Sequence, residues 1–201
     1  MKSLILYDSM GGNTEKVAKK IYEVVRDSKI EATLIKLDAD TKLDFYDYDL
    51  VFLGSPNIEW LPTPKMMEFL HTKKLLEHRI RGDVLAAAPI LPGKFAVCFA
   101  TYCGAHTGES EVIAATHWLA SFFEHIGYLV LDKAHIPGEM RDFGQAKGWM
   151  NPERLKHLNT FGRLGNIIGR PNEQDLVDVA KYTQGILARL KFYIKQSQSK
   201  S

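Results

Sequence analysis

LILYDSMGGNTEKVAKKI, residues 4–21, decides the architecture. Leu4, Ile5, Leu6 and Tyr7 form a short apolar run of the kind that a parallel sheet buries on both faces. Asp8 to Thr14 follow as a turn of small and polar residues. After it, Val17, Ala18, Ile21, Val24 and Val25 recur at helical spacing, with Glu15, Lys16, Lys19, Lys20 and Glu23 on the opposite side. A helix that starts at such a turn presents unpaired N–H groups and partial positive charge, which suits an anion. Gly11 and Gly12 let backbone approach that anion closely, and Ser9, Asn13 and Thr14 offer side-chain hydrogen bonds. Neither GxxxxGK[ST] nor GxGxxG is present, because no Gly-Lys-Ser/Thr follows and the two glycines are adjacent.

The stretch belongs to a chain of 201 residues with 45% hydrophobic and 25% charged residues, a balance that suits one globular domain with a sizeable core. Net charge of +2, with a pI near 8.4, is too mild to indicate a nucleic-acid partner. Cys98 lies in an apolar run and Cys103 in a loop-like stretch. Their spacing is not CxxC, so a reducing, cytoplasmic setting is expected and a disulfide is not. Neither a cleavable leader nor a membrane-spanning run is expected.

Strands are predicted at Glu31 to Leu37, Leu50 to Ser55 and Lys94 to Ala100, and a fifth strand begins at Tyr128 to Leu131. Phe45, Tyr46 and Tyr48 are expected to pin a short turn. Thr63 and Pro64 read as an N-cap and first-turn proline of a helix running to about Leu76. A second helix is predicted over Glu109 to Ile126, with Val112, Ala115, Leu119, Phe122 and Ile126 inward. Residues 137–169 break the rhythm with Gly138, Gly144, Gly148, Gly162, Gly165 and Gly169, and a short helix is expected near Pro152 to Leu158. Long irregular segments in compact domains are usually functional or mobile. Pro171-Asn172 then opens a last helix, and QSQSKS is expected to fray.

Strand and helix thus alternate five times, the pattern of a parallel sheet covered by helices on both faces. The turn after the first strand resembles the phosphate loop of the flavodoxin family, with Ser9, Gly12, Asn13 and Thr14 matching. Gly11 departs from it, since the family often carries a hydroxyl residue there. The resemblance implies a flavodoxin-like, doubly wound sheet of order 2-1-3-4-5, with a site beyond the carboxyl ends of the strands. It further implies flavin mononucleotide (FMN), its phosphate held by Ser9, Met10, Gly11, Gly12, Asn13 and Thr14. The flavin ring would lie between a loop with Pro56, Asn57, Ile58 and Trp60 and a loop with Thr101, Tyr102, Cys103, Gly104 and Gly108. Trp60 and Tyr102 are candidates to stack on the ring, the alternatives being packing of Trp60 on Pro62 and plain loop packing of Tyr102. N–H groups of the third loop would serve the pyrimidine carbonyls, and His106 reads as an exposed loop histidine.

No glycine follows Ser55, where flavodoxins often place one beside the flavin, although Asn57 tolerates unusual backbone angles. SPNIEWLP and GRPNEQDL resemble segments of flavodoxin-like reductases that take a hydride from NAD(P)H. Three readings follow. They are an FMN electron carrier, an NAD(P)H-dependent reductase of quinones, flavins or other small acceptors, and a cofactor-free interaction scaffold. Partners would be a redox protein or a small electron acceptor, and a homodimer is compatible. No side chain is expected to act as acid, base or nucleophile. Neither HExxH nor a Cys/His cluster is present for a metal, and GxSxG is absent around Ser9. His135 lies just before the irregular segment, and the carboxylates Glu139 and Asp142 within it are expected to be solvated rather than catalytic. Arg141, Lys147, Arg154 and Lys156 make the irregular segment basic, suited to a nicotinamide phosphate or a protein partner.

Overall fold

A computed structural model describes residues 1–141 and 150–198. Five parallel strands, β1 (Lys2–Tyr7), β2 (Glu31–Lys36), β3 (Leu50–Pro56), β4 (Phe95–Tyr102) and β5 (Leu129–Pro137), form a sheet in the order β2-β1-β3-β4-β5, as expected. Strand alternation sends Leu4, Leu6, Val51, Leu53, Ala96 and Cys98 to one face and Ile5, Tyr7, Phe52, Val97 and Phe99 to the other. Both sets are buried, because helices cover both faces.

Helices α1 (Asn13–Asp27) and α6 (Glu173–Gln198) pack on the Ile5 face through Val17, Ile21, Val25, Leu187 and Leu190. The opposite face carries α4 (Ser110–His125) and a helical segment of three parts: α2 (Pro64–Met67), a π-helical stretch (Glu68–Leu75) and α3 (Leu76–Arg81). Thr63 caps this segment, its Oγ1 accepting from the Met66 N–H at 3.2 Å, with Pro64 in the first turn. The segment runs five residues past the expected end at Leu76 to Arg81, and stops at Gly82 in the left-handed region. A short 3-10 turn, Phe45–Asp47, is pinned as expected: Phe45 is buried among Phe69, Phe122 and Phe123, and the Tyr128 hydroxyl donates to the carbonyls of Phe45 and Tyr48.

Three boundaries matter for the site, and the first two differ from the sequence reading. α1 begins at Asn13, so Asn13 and Thr14 form its first turn instead of belonging to the preceding loop. β4 continues through Thr101 and Tyr102, because β3 pairs Pro56 with Thr101 and β5 pairs Pro137 with Tyr102. β5 begins in the expected stretch, at Leu129, and runs to Pro137. The short helix in the irregular segment is present as α5 (Pro152–Phe161), with Asn151 as its N-cap. Gly144, Gly148, Asp142 and Lys147, and the end of the QSQSKS tail, lie outside the described residues.

Gly54 in β3 has a packing reason. A Cβ there would stand 2.1 Å from Cζ of Phe99 on the neighbouring strand. The glycine therefore makes room for a fully buried ring beside the strand ends that carry the site.

Candidate functional site

Three strands end side by side because their ladders continue into the loops. The Asp8 N–H donates to the Gly54 carbonyl at 3.0 Å, the Asn57 N–H to Thr101 at 2.8 Å, and the Gly138 N–H to Tyr102 at 2.8 Å. The loops after β1, β3 and β4 consequently meet around one cavity of about 620 Å³, at the crevice where the winding reverses. That volume lies in the range of small-molecule and cofactor sites.

Of the residues expected at the site, Ser9, Met10, Gly11, Asn13, Thr14, Pro56, Asn57, Ile58, Trp60, Thr101, Tyr102 and Cys103 line this cavity. Gly12, Gly104 and Gly108 do not. They set the backbone behind it, with φ of 87°, 58° and 73°. Gly104 also sits against Leu164, whose Cδ1 would be 2.8 Å from an added Cβ.

The first loop spends its side chains differently from the sequence expectation. Ser9 Oγ accepts from the N–H groups of Gly12 (3.1 Å) and Glu15 (3.3 Å), so it braces the turn. The hydroxyls of Thr14 and Thr101 share a buried 2.8 Å bond. Asn13 Nδ2 donates to the Glu139 carbonyl at 2.9 Å. What the loop offers an anion is therefore mainly backbone: among the described residues no acceptor meets the N–H groups of Met10, Gly11, Asn13 and Thr14.

Beneath this loop lies a residue that the sequence reading passed over. Asp8, 2% exposed, accepts from its neighbour's N–H at Ser9 (2.9 Å), from Thr63 Oγ1 (2.6 Å) and from Lys65 Nζ (2.7 Å). It ties the first loop to the start of α2. The signal for it was a carboxylate at the end of an apolar strand, which is buried only when paired.

In the second loop, the unusual backbone falls not on Asn57 but on Glu59 and Trp60, with φ of 47° and 69°. Ile58 and Leu61 exchange N–H···O bonds of 2.8 and 3.0 Å around them, a two-residue hairpin turn that needs two left-handed residues. The turn lifts Trp60 to the rim of the cavity, 61% exposed. Tyr102, by contrast, is 6% exposed and meets the His135 ring edge-on.

In the third loop, the N–H groups of His106 and Thr107 both donate to Glu111 Oε1 at 2.7 Å, which leaves neither available for a ligand carbonyl. Glu111 is buried and lines the cavity. Burial pushes the Cys103 thiol up, against the opposing pull of the Ala105 N–H, so it is a poor nucleophile at neutral pH. His106 is exposed, as expected. His135 is paired at both ring nitrogens: its Nδ1 lies 2.7 Å from Glu109 and its Nε2 2.9 Å from Thr116. No metal-ligating cluster occurs among the described residues.

A fourth wall comes from the irregular segment. Gly138, Glu139, Met140 and Arg141 leave β5 and cross the first loop, and Met150 joins them at the cavity. An added Cβ at Gly138 would lie 2.8 Å from Asn13 Nδ2, so the glycine permits this crossing. Asn159 holds it from below through bonds of 2.8 and 2.9 Å with the Met140 N–H and carbonyl.

Two polar atoms of the cavity residues test whether this space suits a polar cofactor. Among the described residues, Asn13 Oδ1 and Asn57 Oδ1 are buried without a partner. The bond from Asn13 Nδ2 to Glu139 fixes which end of that amide is free. Buried acceptors left unpaired are costly, and a ligand carrying N–H or O–H groups would satisfy them.

Residues 4–109, more than half of the chain, match the family model for the flavodoxin domain. The chain belongs to the flavodoxin domain family. The "Flavodoxin-like domain-containing protein BilS" of Clostridioides difficile (strain CD3) is 37% identical over 78 residues, 37% of this chain and 44% of the relative. The match thus spans less than half of that relative's length. Among solved structures, oxidised flavodoxin 2 from Bacillus cereus superposes with a TM-score of 0.61 at 19% identity, covering 94% of this chain and 99% of that one. A flavodoxin, WrbA-like protein from Agrobacterium tumefaciens gives 0.61 at 14% identity, covering 96% and 98%. These two likenesses extend the flavodoxin fold across almost the whole chain.

No helix among the described residues is long and apolar enough to cross a membrane.

Proposed function

We propose that this flavodoxin-family protein binds FMN non-covalently and transfers electrons between the flavin and a partner. The observation that carries this reading is the convergence of three strand-end loops on one cavity. That cavity offers open first-turn N–H groups at one end, buried unpaired amide oxygens in its wall, and apolar and aromatic side chains along its rim. The N-terminus of α1 suits the phosphate, and Trp60, exposed at the rim, would cover one face of a flat ring. FMN, when bound, supplies the redox chemistry; the chain binds it, orients it and limits its contact with water. No side chain is assigned as acid, base or nucleophile.

A second reading, an NAD(P)H-dependent reductase of small acceptors, draws support from the fourth wall. Met140, Arg141 and Met150 enclose the cavity on a side that a pure carrier would leave open for protein docking. The cofactor-free scaffold is disfavoured by the two unpaired asparagine oxygens, which a protein without a ligand gains nothing by burying.

Purified protein is expected to be yellow, or to become so with added FMN, and to release phosphate-bearing flavin on denaturation. Protein that takes up no FMN overturns the reading. Anaerobic titration of the loaded protein with NADH and NADPH separates the two roles. Rapid bleaching identifies the reductase. No bleaching, with stepwise one-electron reduction by a chemical donor, identifies the carrier.

A further inference from the structure

We propose that Arg141 is a phosphate-recognising residue of the cofactor site, which makes the chain select FMN over the unphosphorylated flavin, riboflavin. This rests on the flavin reading above and assigns a role to a side chain outside the three strand-end loops.

Arg141 Nη1 donates to the Gly11 carbonyl at 2.6 Å, across the turn of the first loop. A Cβ at Gly12 would stand 4.0 Å from the same nitrogen, so the guanidinium sits over both glycines. It lines the cavity together with Ser9, Gly11, Asn13 and Thr14. Its one ion pair among the described residues is loose: Glu139 Oε2 is 3.7 Å from Nη2, and that carboxylate also accepts from the Gly169 N–H at 3.2 Å. A guanidinium has five N–H donors in a planar fork, and only Nη1 has an acceptor within hydrogen-bond range among the described residues. Among the described residues the remaining donors are open to a ligand.

The position answers the departure in the first loop. Gly11 brings no hydroxyl, Ser9 and Thr14 have theirs engaged within the protein, and the Asn13 amide nitrogen is held by Glu139. A loop made mostly of backbone N–H groups carries only partial charge. Arg141 adds a full positive charge and a fork that matches phosphate oxygens. It is held there by the crossing segment, which Gly138 permits and Asn159 supports. The contribution is specific to the phosphate, since riboflavin brings no charge to that end of the cavity.

The test is titration of flavin-free protein with FMN and with riboflavin, followed by flavin fluorescence, for the wild type and Arg141→Met. Arg141→Met is expected to raise the Kd for FMN roughly ten- to a hundredfold, the range of a lost hydrogen bond to a charged group, and to leave riboflavin unchanged. The wild-type Kd for FMN is expected to rise with salt more steeply than that of the variant. An equal loss for both flavins would reduce Arg141 to a brace on Gly11, and no loss for either would remove it from the site; both overturn the proposal. Wild-type protein that binds neither flavin overturns the flavin reading itself, a failure visible before any variant is made.

Discussion

At the scale of single residues, the first loop is held together by a carboxylate it does not expose. Asp8 accepts from the Ser9 N–H, Thr63 Oγ1 and Lys65 Nζ, and two of those donors are themselves buried. Asp8→Ala is expected to cost about 2–3 kcal/mol in urea denaturation, because it strands buried donors without an acceptor. Asp8→Asn, which keeps an acceptor but loses the charge facing Lys65, is expected to cost less. Ser9, Asn13 and Thr14 were identifiable in the sequence as a polar turn at a helix start, but not what each would bond. Thr14 meets Thr101, 87 positions away, and Asn13 meets Glu139, 126 away. Hydrogen-bond partners at such separations depend on the packing of whole strands, which local sequence does not encode.

At the scale of elements, the outer end of the helix that covers β3 is anchored by charge. Arg81 bonds Asp44 ahead of the 3-10 turn and Asp83 just beyond α3, and its guanidinium lies 5.4 Å over the Tyr46 ring. The hydrogen bond from Arg81 holds the Asp44 carboxyl below its ordinary value. A depressed carboxylate contributes stability that is present above its unfolded pKa, about 3.9, and is lost as pH falls through the lower folded value. Arg81→Gln is therefore expected to destabilise the protein at pH 7 and to differ less and less from the wild type below about pH 4, as denaturant midpoints would show. Both partners are partly exposed, so the effect is expected to stay within about 1 kcal/mol. The same helix shows where element reading stops short. Thr63-Pro64 marks its start in the sequence and left-handed Gly82 its end, whereas the π-helical stretch over Glu68–Leu75, which buries Phe69, Leu70 and Leu75, has no sequence signal of that kind. The hairpin turn at Glu59 and Trp60 was equally hidden, since neither residue favours positive φ and only the Ile58–Leu61 pairing imposes it.

At the scale of the molecule, the cavity joins parts that no single element carries. Ligand binding there should stabilise the whole fold, because the unfolded chain has no site. FMN at a hundred times its Kd is expected to add about 2.7 kcal/mol and to raise Tm by about 5–10 °C in calorimetry, with no comparable rise from an equal concentration of adenosine monophosphate. The irregular segment is the part that changed most between sequence and structure. Its glycines and basic residues suggested function without a location. In the fold, Gly138 to Arg141 cross the first loop, α5 underlies them through Asn159, and Gly162 packs against Ala105 of the third loop. The segment thereby closes a site whose other three walls come from strand ends.

Sequence by itself determined the order of strands and helices and the burial of the sheet on both faces, which follow from apolar periodicity and from the right-handed crossovers that parallel strands require. The three candidate loops are read from the resemblance that Ser9, Gly12, Asn13 and Thr14 carry. Tertiary structure alone decided which polar groups remain free to meet a ligand. Ser9, Thr14 and the N–H groups of His106 and Thr107 are satisfied within the protein, while Asn13 Oδ1, Asn57 Oδ1 and most of the Arg141 guanidinium meet no partner among the described residues. The physical reason is that a hydrogen-bonding group is committed by whatever lies within about 3 Å of it, and those neighbours are set by chain segments far apart in sequence.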